Sequence, residues 1–290
     1  MERSVIRVSP SRITLRSIRA TDQEPRLFPL RKSLAMSRMP ATPIDLSADR
    51  QNALAMFNVS RETIARLDRF VALLLAWQHR TNLISPSTIP SLWTRHVADS
   101  LQLLQLAEAP RSYPPQHAGE DKSIYPPPRA GEARIGGVWL DLGSGGGFPG
   151  IVIACALAEA PGGRIHLVES NMKKASFLRE AVRETKVPGI VHAARIETLV
   201  PVLGAAADYV TARALAPLPD LFEMIAPFLK KGAKAFLPKG QDLDIELTKA
   251  TKHWNIEAES VPSKTSKAGR ILIVHALSRR TLPSPASGGG

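Results

Sequence analysis

The run Val138-Trp139-Leu140-Asp141-Leu142 leads straight into Gly143-Ser144-Gly145-Gly146-Gly147-Phe148-Pro149-Gly150. Behind the glycines comes an apolar stretch, Ile151 to Ala158. A short apolar run bounded by glycines reads as a buried strand, and the longer stretch behind it as a helix. Glycine admits positive φ and lets a backbone come close to a ligand. Pro149 suits a first helical turn. Strand, glycine turn and helix in that order point to an α/β sheet whose ligands sit beyond the carboxyl ends of the strands.

The rest of the chain extends that pattern. Strands are expected at 164–169, 190–192, 208–211 and 233–237, and helices at 171–185, 217–229 and 242–253. The stretches 256–260 and 270–276 read as a closing antiparallel pair. Repeating βα units imply a parallel sheet with helices on both faces. Residues 138–278 form that domain, and 46–109 a helical part in front of it. From Ser60, an expected N-cap, Ile64, Leu67, Phe70, Val71, Leu74 and Leu75 recur at helical steps. A second helix at about 89–107 carries Leu92, Trp93, Val97, Leu101 and Leu104, and Thr81 to Pro86 turns between the two. Residues 110–137 are a Pro/Gly-rich loop insertion, 279–290 a low-complexity tail, and 1–45 a basic segment without periodicity, disordered or a mis-assigned start.

Composition narrows the class. The chain has 290 residues, 44% of them apolar and 22% charged, which excludes wholesale disorder. No apolar run approaches the roughly 20 residues of a membrane span. The single cysteine, Cys155, can form neither an internal disulfide nor a cysteine zinc site, and suggests a reducing, cytoplasmic setting. Its place in an apolar segment marks it as a core residue rather than a nucleophile. The seven histidines show no His-x-x-x-His pair, so no metal is expected. Net charge is +12 and sits at the ends: residues 1–38 carry nine basic and three acidic residues, and 261–290 five basic and none acidic. Such ends suit a polyanion, or serve only as solvated tails.

Glu169 stands 22 positions after Gly147 at the end of the second strand, where a carboxylate can accept both hydroxyls of a ribose. Gly145-x-Gly147-x-x-Gly150 matches the dinucleotide fingerprint, and Asp141-x-Gly143-x-Gly145-x-Gly147 the glycine loop of class I S-adenosylmethionine methyltransferases. Asp141 favours the second, because a carboxylate beside a pyrophosphate is repulsive. It would lie near the methionine end of that cofactor. A glycine turn without a ligand is the third reading.

Three segments together resemble the RsmG (GidB) family, the 16S ribosomal RNA guanine-N7 methyltransferases. They are Trp77…Asn82-Leu83-Ile84 with Arg95-His96-Val97-Ala98-Asp99-Ser100; Leu140 through Gly150; and Thr211-Ala212-Arg213-Ala214-Leu215-Ala216 with Leu237-Pro238-Lys239-Gly240. The resemblance covers about 47–278 and omits residues 1–45, 110–137 and the tail. It implies a Rossmann-like class I fold with a mostly parallel seven-stranded sheet and an N-terminal helical part. It implies S-adenosylmethionine as methyl donor, a guanine N7 in the 530 loop as acceptor, and small-subunit rRNA or a ribosomal particle as partner. Gly143, Gly145 and Phe148 match the family's cofactor loop, Glu169 its acidic residue, and Ile196 and Glu197 the segment beside the adenine. Arg213, just past the fourth strand, is expected on the cofactor, guanine O6 or a phosphate, as the catalytic residue. For RNA contact the candidates are Arg95, His96, Lys239 and Lys264. Each has a plainer reading: a His96–Asp99 hydrogen bond locking its helix, a strand end at Lys239, a solvated hairpin at Lys264. Rival functions are methylation of another RNA site or a small molecule, and a non-catalytic RNA-binding assembly protein.

Overall fold

The computed structural model describes residues 44–108, 136–203 and 207–280. Most of the basic start, the 110–137 insertion and the tail lie outside the described residues.

The helical part holds α1 (Ser47–Ala55), α2 (Arg61–Gln78), a 3₁₀ turn (Pro86–Ser91), a π turn (Trp93–Ala98) and α3 (Asp99–Glu108). Ser60 caps α2, its hydroxyl accepting the Thr63 amide at 3.0 Å. Thr63, Leu67, Phe70, Val71 and Leu74 form the buried stripe, while Ile64 and Leu75 are only half-buried. The second helix is real but irregular: it starts as 3₁₀ and π turns before settling into α3. Asp49 of α1 anchors the first residues of the π turn. Its carboxylate accepts the Trp93 amide at 2.7 Å and the Thr94 hydroxyl at 2.6 Å, satisfying donors a helix start leaves orphaned. Gln78, the last residue of α2, holds the following turn by accepting from the Leu83 and Ile84 amides and donating to the Ile84 carbonyl.

The second part runs β1 (Val138–Leu142), α4 (Gly150–Leu157), β2 (Arg164–Val168), α5 (Met172–Thr185), β3 (Gly189–His192), α6 (Ile196–Leu203), β4 (Tyr209–Ala212), α7 (Leu218–Leu229), β5 (Lys234–Lys239), α8 (Leu243–Ala250), β6 (Trp254–Pro262) and β7 (Arg270–Arg279). The sheet order is β3-β2-β1-β4-β5-β7-β6. The first five strands are parallel and β7 is antiparallel to both its neighbours. The order reverses between β1 and β4, which opens a crevice at their carboxyl ends. Each face has its own core. Trp139, Ile165, Leu167 and Phe236 pack with α2, α3, α4 and α5, while Leu140, Leu142, Val168, Val210 and Leu237 pack with α7 and α8. Helix α6, with Pro201 inside it, was not expected from the sequence, and β6 and β7 run longer than the apolar pattern suggested.

Candidate active site

The glycine cluster closes the top of β1 and faces two ways. Gly143, Gly145 and Gly147 have φ of +68°, +51° and +85°, the left-handed region where a side chain is strained. A Cβ on Gly143 would lie 2.6 Å from Leu215 Cδ1. Around Gly145, among the described residues, only a backbone oxygen 3.6 Å away approaches the Cβ position, so a ligand can come close there. Gly146 and Gly147 instead meet the helical part. Their Cβ atoms would fall 2.8 Å from the Leu83 carbonyl oxygen and 3.0 Å from the Phe70 ring.

Glu169 follows β2 and is buried. One carboxylate oxygen accepts the Gly145 amide at 2.9 Å and the other the Asn171 amide at 2.7 Å. A carboxylate has about four acceptor positions, so each oxygen keeps one for a ligand hydroxyl. Asn171 caps α5, accepting from the Lys173 and Lys174 amides. Ile196 opens α6 half-buried against the second core, and Glu197 beside it is exposed. A bare glycine turn, a half-satisfied carboxylate and a half-buried apolar residue across the strand ends fit an adenosyl group.

Asp141 is almost fully buried and turned into the fold. Its oxygens accept the Thr211 hydroxyl at 2.8 Å and the Gly150 amide at 3.2 Å, tying β1 to β4 and to the start of α4. Burial raises its pKa to about 6, against the pull of these bonds and of Arg213. Gly150 is needed because a Cβ there would stand 2.5 Å from that carboxylate.

Arg213 lies just past β4, its side chain 19% exposed. One guanidinium nitrogen donates to the Arg95 carbonyl at 3.2 Å and to Asp99 at 3.4 Å. The other donates to His96 Nδ1 at 2.6 Å. A guanidinium only donates, so Nδ1 accepts and Nε2 carries the proton, which goes to the Thr88 hydroxyl at 2.8 Å. Thr88 in turn donates to the Ser85 carbonyl at 2.7 Å. Burial, then the charges of Arg213 and Arg95, push His96 down to about 3, so it stays neutral. The expected His96–Asp99 bond is not the one formed: both residues are spent on Arg213. Phe148 is buried, stacked on His96 at 4.9 Å and edge-on to Phe70 at 5.2 Å, with the Arg213 guanidinium over its ring at 5.5 Å. It works as a wedge between the loop and the helices.

The other basic candidates are engaged differently. Arg95 offers its carbonyl to Arg213 and is exposed. The Lys239 ammonium pairs with Glu246 at 2.8 Å and touches the Ala216 carbonyl, so its charge points into the fold. Lys264 donates to Gln105 at 2.5 Å and sits over Phe57. With Thr265 bonded to Asp99 at 2.7 Å, it stitches the β6–β7 loop to the helical part. Asp99, Thr88 and Thr265 are the residues sequence reasoning missed as supports of Arg213. Asp99 lay inside a quoted motif; the threonines had no local signal.

The strand order, the antiparallel β7, the glycine loop after β1 and the carboxylate after β2 together define a class I S-adenosylmethionine-dependent methyltransferase. The family model for rRNA small subunit methyltransferase G matches residues 63–113 and 130–273. A Ribosomal RNA small subunit methyltransferase G from Bradyrhizobium sp. (strain ORS 278) is 50% identical, covering 82% of this chain and 95% of that protein. One from Nitrobacter hamburgensis is 49% identical over 89% of this chain and 90% of its own length. Among solved structures, a putative O-methyltransferase from Klebsiella pneumoniae is 14% identical with a TM-score of 0.47, over 79% of this chain and 96% of that one. The chain belongs to the rRNA small subunit methyltransferase G family.

Proposed function

We propose that the protein methylates N7 of a guanine in the 530 loop of 16S rRNA, in the cytoplasm, with a small-subunit ribosomal particle as acceptor. S-adenosylmethionine, when bound, supplies an electrophilic methyl group, and guanine N7 offers a lone pair with no proton to remove. Gly143 and Gly145 admit the cofactor to the loop backbone, and Glu169 has acceptor positions for its ribose hydroxyls. Ile196 lies where an adenine would rest, with Glu197 beside it. Arg213, clamped by His96 and Asp99, is held where it can position a carboxylate, guanine O6 or a phosphate. It does not act on N7 itself, since a hydrogen bond there would occupy the attacking lone pair. Catalysis is then mainly proximity and alignment.

The observation that carries this reading is the state of the side chains around the crevice. Cys155 is fully buried and its thiol is pushed up to about 12, which excludes thiolate attack on a pyrimidine. His96 and Asp141 are bound into the fold, so neither is free to act as general base, and N7 is a ring nitrogen that needs none. After β4 the chain reads Thr211-Ala212-Arg213-Ala214, not the Asn-Pro-Pro-aromatic pattern of enzymes acting on adenine amines.

The test is transfer of a radiolabelled methyl group to small ribosomal subunits lacking the modification, followed by mass spectrometry of the labelled nucleoside. 7-Methylguanosine confined to the 530 loop is expected. Label in another nucleoside overturns the substrate, and absence of label with no adenosylhomocysteine binding favours a non-catalytic RNA-binding protein. Gly143→Asp, which adds a strained side chain against Leu215, should weaken adenosylhomocysteine binding about 100-fold by calorimetry, equivalent to about 3 kcal/mol.

A further inference from the structure

A cleft of about 440 Å³ opens between the first turns of α2 and the last turn of α5, lined by Arg61, Glu62, Arg66, Arg69, Thr185 and Lys186. Helix α5 begins beside Glu169 and runs 14 residues to this cleft, so the two lie about 20 Å apart at 1.5 Å per residue. Four of the lining side chains are cationic and one is anionic. Arg66 is compensated by Glu159 at 2.8 Å. Arg61, Arg69 and Lys186 are exposed, and none has an acidic partner among the described residues. This concentration stands out because residues 39–260 carry a net charge of only +1.

Lys186 gives a second, independent observation. It ends α5 in the left-handed conformation, with φ +53°, the position where helices ordinarily place glycine. A lysine there costs stability relative to glycine, and what it adds is a cationic, exposed side chain among those that line the cleft. Strain of this kind recurs at ligand-holding positions, and here it falls on a residue that lines the basic cleft.

We propose that this cleft is a second RNA contact, holding phosphates of the small-subunit rRNA about 20 Å from Glu169. The proposal rests on the reading of small-subunit rRNA as substrate. It makes recognition depend on a folded RNA long enough to reach both places, since a single nucleotide or short strand at the crevice cannot touch the cleft.

The test compares wild type with the triple variant Arg61→Gln, Arg69→Gln, Lys186→Gln, and with Lys186→Gly alone. Filter binding to protein-free 16S rRNA across salt concentrations is measured beside methyl transfer to small subunits. The triple variant should raise KM for subunits about tenfold and flatten the plot of log affinity against log salt by about two units. It should leave kcat and adenosylhomocysteine affinity unchanged. Lys186→Gly should melt at a higher temperature yet bind rRNA more weakly, a split that a purely structural lysine would not produce. Wild-type KM and salt slope in the triple variant overturn the proposal. So does a loss confined to subunits with protein-free rRNA bound as before, which would put a ribosomal protein in the cleft. Failure of the wild type to label subunits, with rRNA affinity and its salt slope dependent on the cleft, would overturn the methylation reading and leave the cleft standing.

Discussion

The sheet and the helical part contribute to the active site by opposite means. The sheet supplies positions: its strand order leaves a crevice between β1 and β4, and Gly143, Gly145 and Glu169 arrive there as consequences of short βα turns. The helical part supplies pressure and orientation. Phe70 and Leu83 press on Gly147 and Gly146, while His96 and Asp99 grip Arg213 from the other side. The same glycine loop is therefore bare on one side to admit a ligand and bare on the other to admit a neighbour's packing. A row of glycines in a cofactor loop does not by itself say which of them the cofactor needs.

This contrast can be broken most severely at Phe70. It is fully buried, contacts Phe148 and Phe177, and lies against Gly147. Phe70→Ala should cost about 3–5 kcal/mol in a denaturant titration. If the helical part holds the loop, adenosylhomocysteine affinity should fall as well, although Phe70 belongs to no strand end.

On the sheet side, Asp141 predicts a pH signature. Its folded pKa of about 6 lies above the ordinary 3.8, so the folded state holds this proton more tightly than the unfolded chain does. Its penalty is absent below about pH 3, grows as pH rises to 6, and is complete above it. The stability of wild type relative to Asp141→Asn should fall by about 3 kcal/mol between pH 3 and pH 7. A flat difference would mean the carboxylate is better solvated than its burial indicates.

A smaller effect separates orientation from packing. His96→Ala strands an Arg213 N–H and should cost about 1–3 kcal/mol by chemical denaturation. His96→Gln, which can restore an acceptor, should recover part of that loss. Smallest is Arg50→Ala. The Arg50–Asp68 pair joins α1 to α2 at 2.7 Å but is more than a third exposed on both sides, so its loss should shift the melting free energy by less than about 1 kcal/mol.

Legibility differed between the two parts for a physical reason. In the sheet, each strand's apolar run and each glycine or Asn171 cap is local, so β1 to β5 and α4, α5 and α7 could be read within a few residues of their bounds. Helix α6 escaped because Pro201 interrupts its pattern, and the ends of β6 and the last residues of β7 because most of their side chains are exposed and leave little apolar signal. In the helical part the decisive bonds are remote: Asp49 to Trp93 spans 44 residues, and Arg213 to His96 spans 117. Lys239 read as an RNA contact or a strand end because Glu246, its partner, stands seven residues away across a strand end.

Residue order alone determined the class of fold, the glycine loop and its acidic partner Glu169, since periodicity, turn chemistry and spacing act over short stretches of chain. Only the tertiary structure decided that Gly146 and Gly147 serve the helices, that His96 and Asp99 serve Arg213, and that Arg61, Arg69 and Lys186 converge on one cleft. Those outcomes depend on which distant surfaces meet, and packing sets that only when the whole chain has closed around its two cores.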